Sequence, residues 1–182
     1  MARLFDEITP ELAEFIAAQP LFFVATAPAG DDGHVNCSPK GLDTFRVLGP
    51  REVCYLDLTG SGVETIAHVR ENGRITFMFC AFEGRPSILR LYGRARAIPW
   101  TSSAADPFRR RFEPLPGTRS IIHARIERVA TSCGYGVPVM HKESDRPTLL
   151  DSATKKGPRG LETYRREKNT ESIDGLPALT EA

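Results

Sequence analysis

The stretch "VNCSPKG", residues 35–41, ends with a lysine set between a proline and a glycine. Pro39 stiffens the chain, Gly41 leaves room for a ligand to approach the backbone, and Ser38 offers a hydroxyl. A compact ammonium in that setting suits a phosphate or a carboxylate. The plainer alternative for Lys40 is a solvated loop charge. A second anion-binding pattern lies in "DLTGSGVETIAHVRENG". Gly60 and Gly62 precede a helical periodicity, and their free N–H groups stand at its positive end, where a phosphate would fit. Ser61 and Glu64 also match the capping-box spacing S-x-x-E, so the plainer reading there is a well-capped helix. The strand–glycine–helix order is that of a dinucleotide site, but the third glycine and the βαβ pattern are missing. In "LRLYGRARAI", Arg90, Arg94 and Arg96 share one strand face. Arg94 and Arg96 read as a solvated stripe, whereas Arg90, between Leu89 and Leu91, reads as an anion contact.

The four histidines show no metal-ligand spacing, so no metal site is expected. His68 falls four residues after Glu64, which predicts a surface contact between them. No nucleophile–base set can be assigned from residue order, and the catalytic residues remain unknown at this level. Four scattered cysteines without C-x-x-C read as free thiols in a reducing, cytoplasmic compartment. Three of them lie in strand-like apolar runs and are expected to be buried, and Cys37 reads as a structural thiol. "SCGYGVP" reads as a rigid turn whose Tyr135 ring is able to cover a flat ligand.

These groups need elements to hold them. The chain has 182 residues, is 41% hydrophobic and carries a net charge of +1. That suits one globular domain over 1–182 and gives no general case for nucleic acid or an anionic membrane. No apolar run is long enough to span a bilayer, and the start does not read as a secretory signal. "TPELAEFIAAQ" predicts a short helix, with Thr9 as N-cap and Pro10 in the first position. Strands are predicted at "LFFVATA", "VNCSPKG", "TFRVL", "EVCYLDL", "RITFMFCAF", "SILRLYGRARAI" and "RSIIHARIERVAT". Gly93 marks a bend or bulge. Helices are expected at the capped segment 61–72, at "SSAADPFRRRF" and at "GLETYRREK", with loose ends around the last. Consecutive strands joined by short turns make an antiparallel sheet, and closure removes its edges. The fold expected is mainly β: a small antiparallel barrel with peripheral helices.

The order "HVNCSPKG", strand, "GSGVETIAHVRENGRITFMF", "SILRLYGRARAI" resembles the pyridoxamine 5′-phosphate oxidase-related FMN-binding family, over about residues 21–137. The resemblance implies a split β-barrel core there, with a polar C-terminal extension over about 141–182. It implies a homodimer with one FMN per subunit in a cleft shared between the two. Carried onto this sequence, it nominates Asn36, Ser38 and Lys40 on the strand that reaches the FMN phosphate. It likewise nominates Asp57, Ser61 and Gly62 on the segment approaching the flavin. The family oxidase has basic residues after a Gly-Ser at that helix start; here Gly62 and Val63 stand instead. Phosphate binding would then lean on backbone N–H groups, Lys40, assisted by Ser38, or Arg90. The oxidase's C-terminal tryptophan–arginine segment has no match in "SIDGLPALTEA". The expected activity is therefore that of an FMN-dependent oxidoreductase acting on an unidentified small molecule. Alternatives are a non-catalytic flavin or haem carrier or sensor on the same barrel, and a B6 vitamer oxidase.

Overall fold

A computed structural model of the chain describes residues 3–179. The outermost residues of the predicted 1–182 domain, including the end of the "SIDGLPALTEA" segment, lie outside them. The helix α1, Pro10–Ala17, starts as predicted: Thr9 Oγ1 accepts from the Leu12 N–H at 3.4 Å, and Pro10 opens the first turn. The strands are β1 (Arg3–Phe5), β2 (Phe22–Thr26), β3 (Asn36–Lys40), β4 (Phe45–Gly49), β5 (Glu52–Leu58), β6 (Arg74–Cys80), β7 (Ile88–Pro99) and β8 (Thr118–Ser132). All pair antiparallel, in the order β3-β2-β6-β7-β8-β5-β4, with β1 added to β8.

The sheet curls until its two ends meet through side chains. Phe22 of β2 touches Phe45 of β4 with ring centroids 4.9 Å apart, although four strands separate β2 from β4 in the order. Tyr55, Phe77 and Phe79 complete this aromatic interior. The seam is filled by rings rather than ladder bonds, which is what makes the barrel split. Along β2 the buried Phe22, Val24 and Thr26 alternate with half-buried Phe23 and Ala25. This period of two puts one face on the core. The same alternation makes Thr76 and Met78 of β6 half-buried between the buried Ile75, Phe77 and Phe79. A smaller core lies on the other side of β5 and β8. There Leu56, Ile98 and Ile121 pack beneath Phe112 and a turn at Ser103–Ala105 that leads into α3, Asp106–Arg109. The β7–β8 register shifts at Tyr92/Gly93, the bulge expected at Gly93.

Two local expectations fail. Helix α2, Glu64–Glu71, starts two residues later than the capping box requires. Its N-cap is Val63, and no side chain caps it. The stripe Val63, Ile66, Ala67 and Val69 is buried as predicted, and Gly73 ends the helix at φ 74°. The C-terminal extension is not loose. Helix α4 spans Thr148–Lys168 with a non-helical kink at Gly157, and beyond it Asn169, Ser172 and Ala178 are buried. Arg70 of α2 donates to the Ala178 carbonyl, pinning the extension to the barrel. All four cysteines are free. Only Cys54 and Cys80 are buried; Cys37 and Cys133 are exposed. Burial pushes the Cys54 thiol up to about 12, which keeps it inert.

Candidate functional site

β3 is an edge strand, and this explains Pro39: an edge residue with no ladder partner on one side loses nothing by lacking an N–H. Lys40 is the last residue of this strand rather than part of the turn after it. Asn36, Ser38 and Lys40 alternate with exposed Cys37 and Pro39 and share the half-buried face. Lys40 pairs in register with Phe22, so its side chain follows that ring inward, and Nζ stands 6.0 Å from the Tyr55 ring centroid.

There Lys40 meets a buried charge cluster. Its Nζ lies 3.5 Å from Asp57 Oδ1, while Arg119 Nε donates to Asp57 Oδ2 at 2.6 Å. Ser120 Oγ adds a contact of 3.3 Å to Oδ2. Asp57 is 1% exposed. Burial alone would push its carboxyl up, but the Arg119 guanidinium, the Lys40 ammonium and their hydrogen bonds outweigh it and hold the carboxyl below its ordinary value. Arg119 also donates to Asn169 Oδ1 at 2.8 Å and to the Gly62 carbonyl at 2.8 Å. Asn169 Nδ2 in turn donates to the carbonyls of Gly60 (3.0 Å) and Ser61 (3.2 Å). This is the physical reason the capping box fails. The carbonyls of residues 60–62 are held by β8 and the C-terminal extension, so the chain cannot turn into a helix at Ser61. Across a planar trans peptide, N–H points opposite to C=O. The Ser61, Gly62 and Val63 N–H groups therefore face away from that clamp.

Beside Lys40 a cleft of about 580 Å³ opens. Leu42, Leu56, Leu58, Phe82, Met140 and Leu149 give it apolar walls, and Gly41 and Gly60 let the backbone approach. One side is closed by the strap 140–146, which is anchored where the Met140 N–H donates to the Phe82 carbonyl at 2.9 Å. The strap brings Lys142 and Arg146 to the cleft. In the buried cluster Arg119 neutralises Asp57, so Lys40 adds one positive charge to the wall. Its ammonium has three donors, and one of them is engaged, at 3.5 Å, with a side chain 25% exposed.

Of the residues nominated from sequence, the structure brings Lys40 and Asp57 into contact. It places Asn36 and Ser38 on the same face of β3, and it sets Ser61 and Gly62, both exposed, beside cleft-lining Gly60. Arg90 is not brought to them. It pairs with Met78, which pairs with Phe23, which pairs with Pro39, so it shares the outer face with Pro39 rather than the inner face with Lys40. Its guanidinium donates to Ser132 Oγ at 3.1 Å. His68 is not on the surface. It is fully buried, with Nδ1 3.0 Å from Thr26 Oγ1. Sequence reasoning missed Arg119, Asn169 and the strap. Arg119 is one of three arginines in "RSIIHARIERVAT" and nothing in the sequence sets it apart from the other two; Asn169 left no trace either. Among the described residues no group of three or more His, Cys, Asp or Glu is placed to hold a metal.

The sequence pattern of the family described as pyridoxamine 5′-phosphate oxidase matches residues 8–133. The pyridoxamine 5′-phosphate oxidase family protein ustO of Aspergillus flavus is 39% identical over 199 aligned residues, covering all of this chain and 80% of that protein. Among solved structures, HupZ of Group A Streptococcus matches with a TM-score of 0.52 at 24% identity, over 67% of this chain and 91% of that one. A candidate pyridoxamine 5′-phosphate oxidase from Lactobacillus delbrueckii matches with a TM-score of 0.54 at 20% identity, over 69% and 94% of the two chains. At these identities the structural likeness concerns the fold, the split barrel.

Proposed function

This chain belongs to the pyridoxamine 5′-phosphate oxidase family, and we propose that it is an FMN-dependent oxidoreductase whose cofactor lies in the cleft beside Lys40. The observation that carries the reading is the wall itself: an ammonium with spare donors at the rim of an apolar cleft of about 580 Å³. A clefted, mostly apolar site with a few fixed polar groups is what a flat aromatic ligand requires. The donor set fits FMN. Lys40 binds the terminal phosphate as a point charge, the outward N–H groups of Ser61 and Gly62 assist, and Leu56, Leu58 and Phe82 cover the ring. Asp57 and Arg119 act beneath Lys40 and hold the ammonium in place. A bound flavin supplies the electron transfer, while the protein binds, orients and shields it. Arg90, on the outer face, is left out of the contacts made within one chain. The substrate is a small molecule, the site is completed by a second subunit, and the protein works in the cytoplasm.

The test is Lys40→Ala. Charge-assisted contacts contribute roughly 1.5–3 kcal/mol, so FMN binding should weaken by about one to two orders of magnitude. Riboflavin, which lacks the phosphate, should bind both forms alike. Equal FMN affinity in wild type and variant would refute Lys40 as the phosphate ligand. Cofactor released by heat should chromatograph as FMN, and FAD as the main species would overturn that choice. A flavin-loaded protein that turns over no NAD(P)H or other donor would be a carrier rather than an oxidoreductase.

A further inference from the structure

His68 is fully buried on α2 and takes no part in the cleft as described. Its Nδ1 lies 3.0 Å from Thr26 Oγ1. The Asn36 side-chain amide donates to Thr26 Oγ1 at 3.1 Å and to Thr65 Oγ1 at 3.1 Å. The Asn36 carbonyl oxygen accepts from Ser38 Oγ at 2.8 Å. One chain of hydrogen bonds thus runs from inside α2 to the strand that carries Lys40. His68 Nε2 is buried and bonded to nothing among the described residues. A buried polar atom left unpaired is costly, and a ring held that way calls for a reason.

A hydroxyl has one hydrogen to give. With Nδ1 of His68 unprotonated, Thr26 gives its hydrogen to that nitrogen and must accept from its other neighbour. Asn36 then turns its NH₂ toward Thr26 and Thr65 and its carbonyl toward Ser38. Ser38 gives its own hydrogen to Asn36 and shows only lone pairs to a ligand. With a proton on Nδ1 instead, Thr26 is free to donate, the Asn36 amide is free to turn over, and Ser38 becomes a donor. We propose that His68 is a positioning residue that sets the hydrogen-bond polarity of β3 through Thr26 and Asn36. Ser38 is thereby fixed as an acceptor and recognises a donor on the ligand, a hydroxyl or ring N–H, and not a phosphate oxygen. The inference rests on reading the cleft as a flavin site. It divides the labour along β3, with Lys40 for the anion and Ser38 for a donor group that FMN and riboflavin share.

Fluorescence titration with FMN and riboflavin tests it. Ser38→Ala should weaken both by a similar factor, about fivefold for one neutral hydrogen bond. Thr26→Val keeps the shape but breaks the chain, and should weaken both flavins in the same way, while Thr26→Ser restores wild-type binding. A Ser38→Ala loss confined to FMN, or a Thr26→Val protein that binds both flavins normally, overturns the proposal. Nitrogen-15 spectra of the histidine rings in the ligand-free wild type should show His68 as the Nε2–H tautomer; the Nδ1–H tautomer also overturns it. If wild type binds neither flavin, the flavin reading fails, and the ring tautomer still decides whether the polarity stands.

Discussion

At the scale of single residues, buried charges govern the site. Arg119 and Asp57 are both almost entirely enclosed, with side chains 4% and 1% exposed. Removing one partner of such a pair leaves the other uncompensated in a poorly solvated place. Arg119→Met should therefore destabilise the protein by roughly 3–5 kcal/mol in denaturant unfolding, and adding Asp57→Asn should recover much of that loss. A cost within about 0.5 kcal/mol, the usual surface value, would show that the cluster is solvated in solution. His68 makes a pH prediction. Burial lowers its pKa below the ordinary value, against the opposing pull of Asp174 on the C-terminal extension and of Glu64 and Glu71 on its own helix. The folded state then keeps the ring neutral while the unfolded chain takes a proton as pH falls through about 6.5. Its contribution is present above that pH and is lost below it. Thermal melting between pH 7 and pH 5 should fall more steeply for wild type than for His68→Gln. Parallel slopes would mean that His68 titrates normally in the fold.

At the scale of elements, two glycines separate shape from function. A Cβ on Gly93 would sit 2.1 Å from the Arg125 carbonyl, across the bulge where β7 crosses β8. Backbone has to move to admit it, so Gly93→Ala should cost roughly 1–3 kcal/mol of stability. A Cβ on Gly41 meets nothing within 4 Å, so Gly41→Ala should leave the melting temperature unchanged. Because Gly41 lines the cleft, the same variant should weaken FMN binding. A fully stable Gly93→Ala would contradict the register of β7 and β8, and an unstable Gly41→Ala would contradict the open space beside Gly41. Helix α2 shows how an element can override its own signals. Ser61 and Glu64 have capping-box spacing, yet Arg119 and Asn169 hold three carbonyls just before the helix and delay its start.

At the scale of the molecule, the outer face of β3-β2-β6-β7 remains open. Half-buried Phe23 and Met78 lie there among exposed Val35, Cys37 and Tyr92, beside Arg90 and Arg94. An apolar centre with an arginine rim is the composition of a subunit interface. We expect sedimentation equilibrium of the flavin-loaded protein at micromolar concentration to give a dimer. A loaded monomer would sink both the dimer and the shared site. Within the chain, no helix among the described residues is long and apolar enough to cross a membrane.

The sequence by itself determined what repeats at short range. Runs of apolar and β-branched residues between turn residues located the longer strands, Thr9-Pro10 located α1, and Gly93 located the bulge, because each depends on neighbours a few residues away. It also singled out Lys40, whose proline and glycine flank it in the chain. Only the tertiary structure decided which charges meet. Asp57 and Arg119 are 62 residues apart and Arg119 and Asn169 are 50 apart, and nothing local marks either pair. His68 reads as a surface residue from its i,i+4 spacing to Glu64, and it is buried; Arg90 reads as an anion contact from its setting between leucines, and it lies on the strand face opposite to that of Lys40. Both placements have one reason: the face a side chain occupies is set by strand register and by what packs over the helix, and those are long-range properties of the closed barrel.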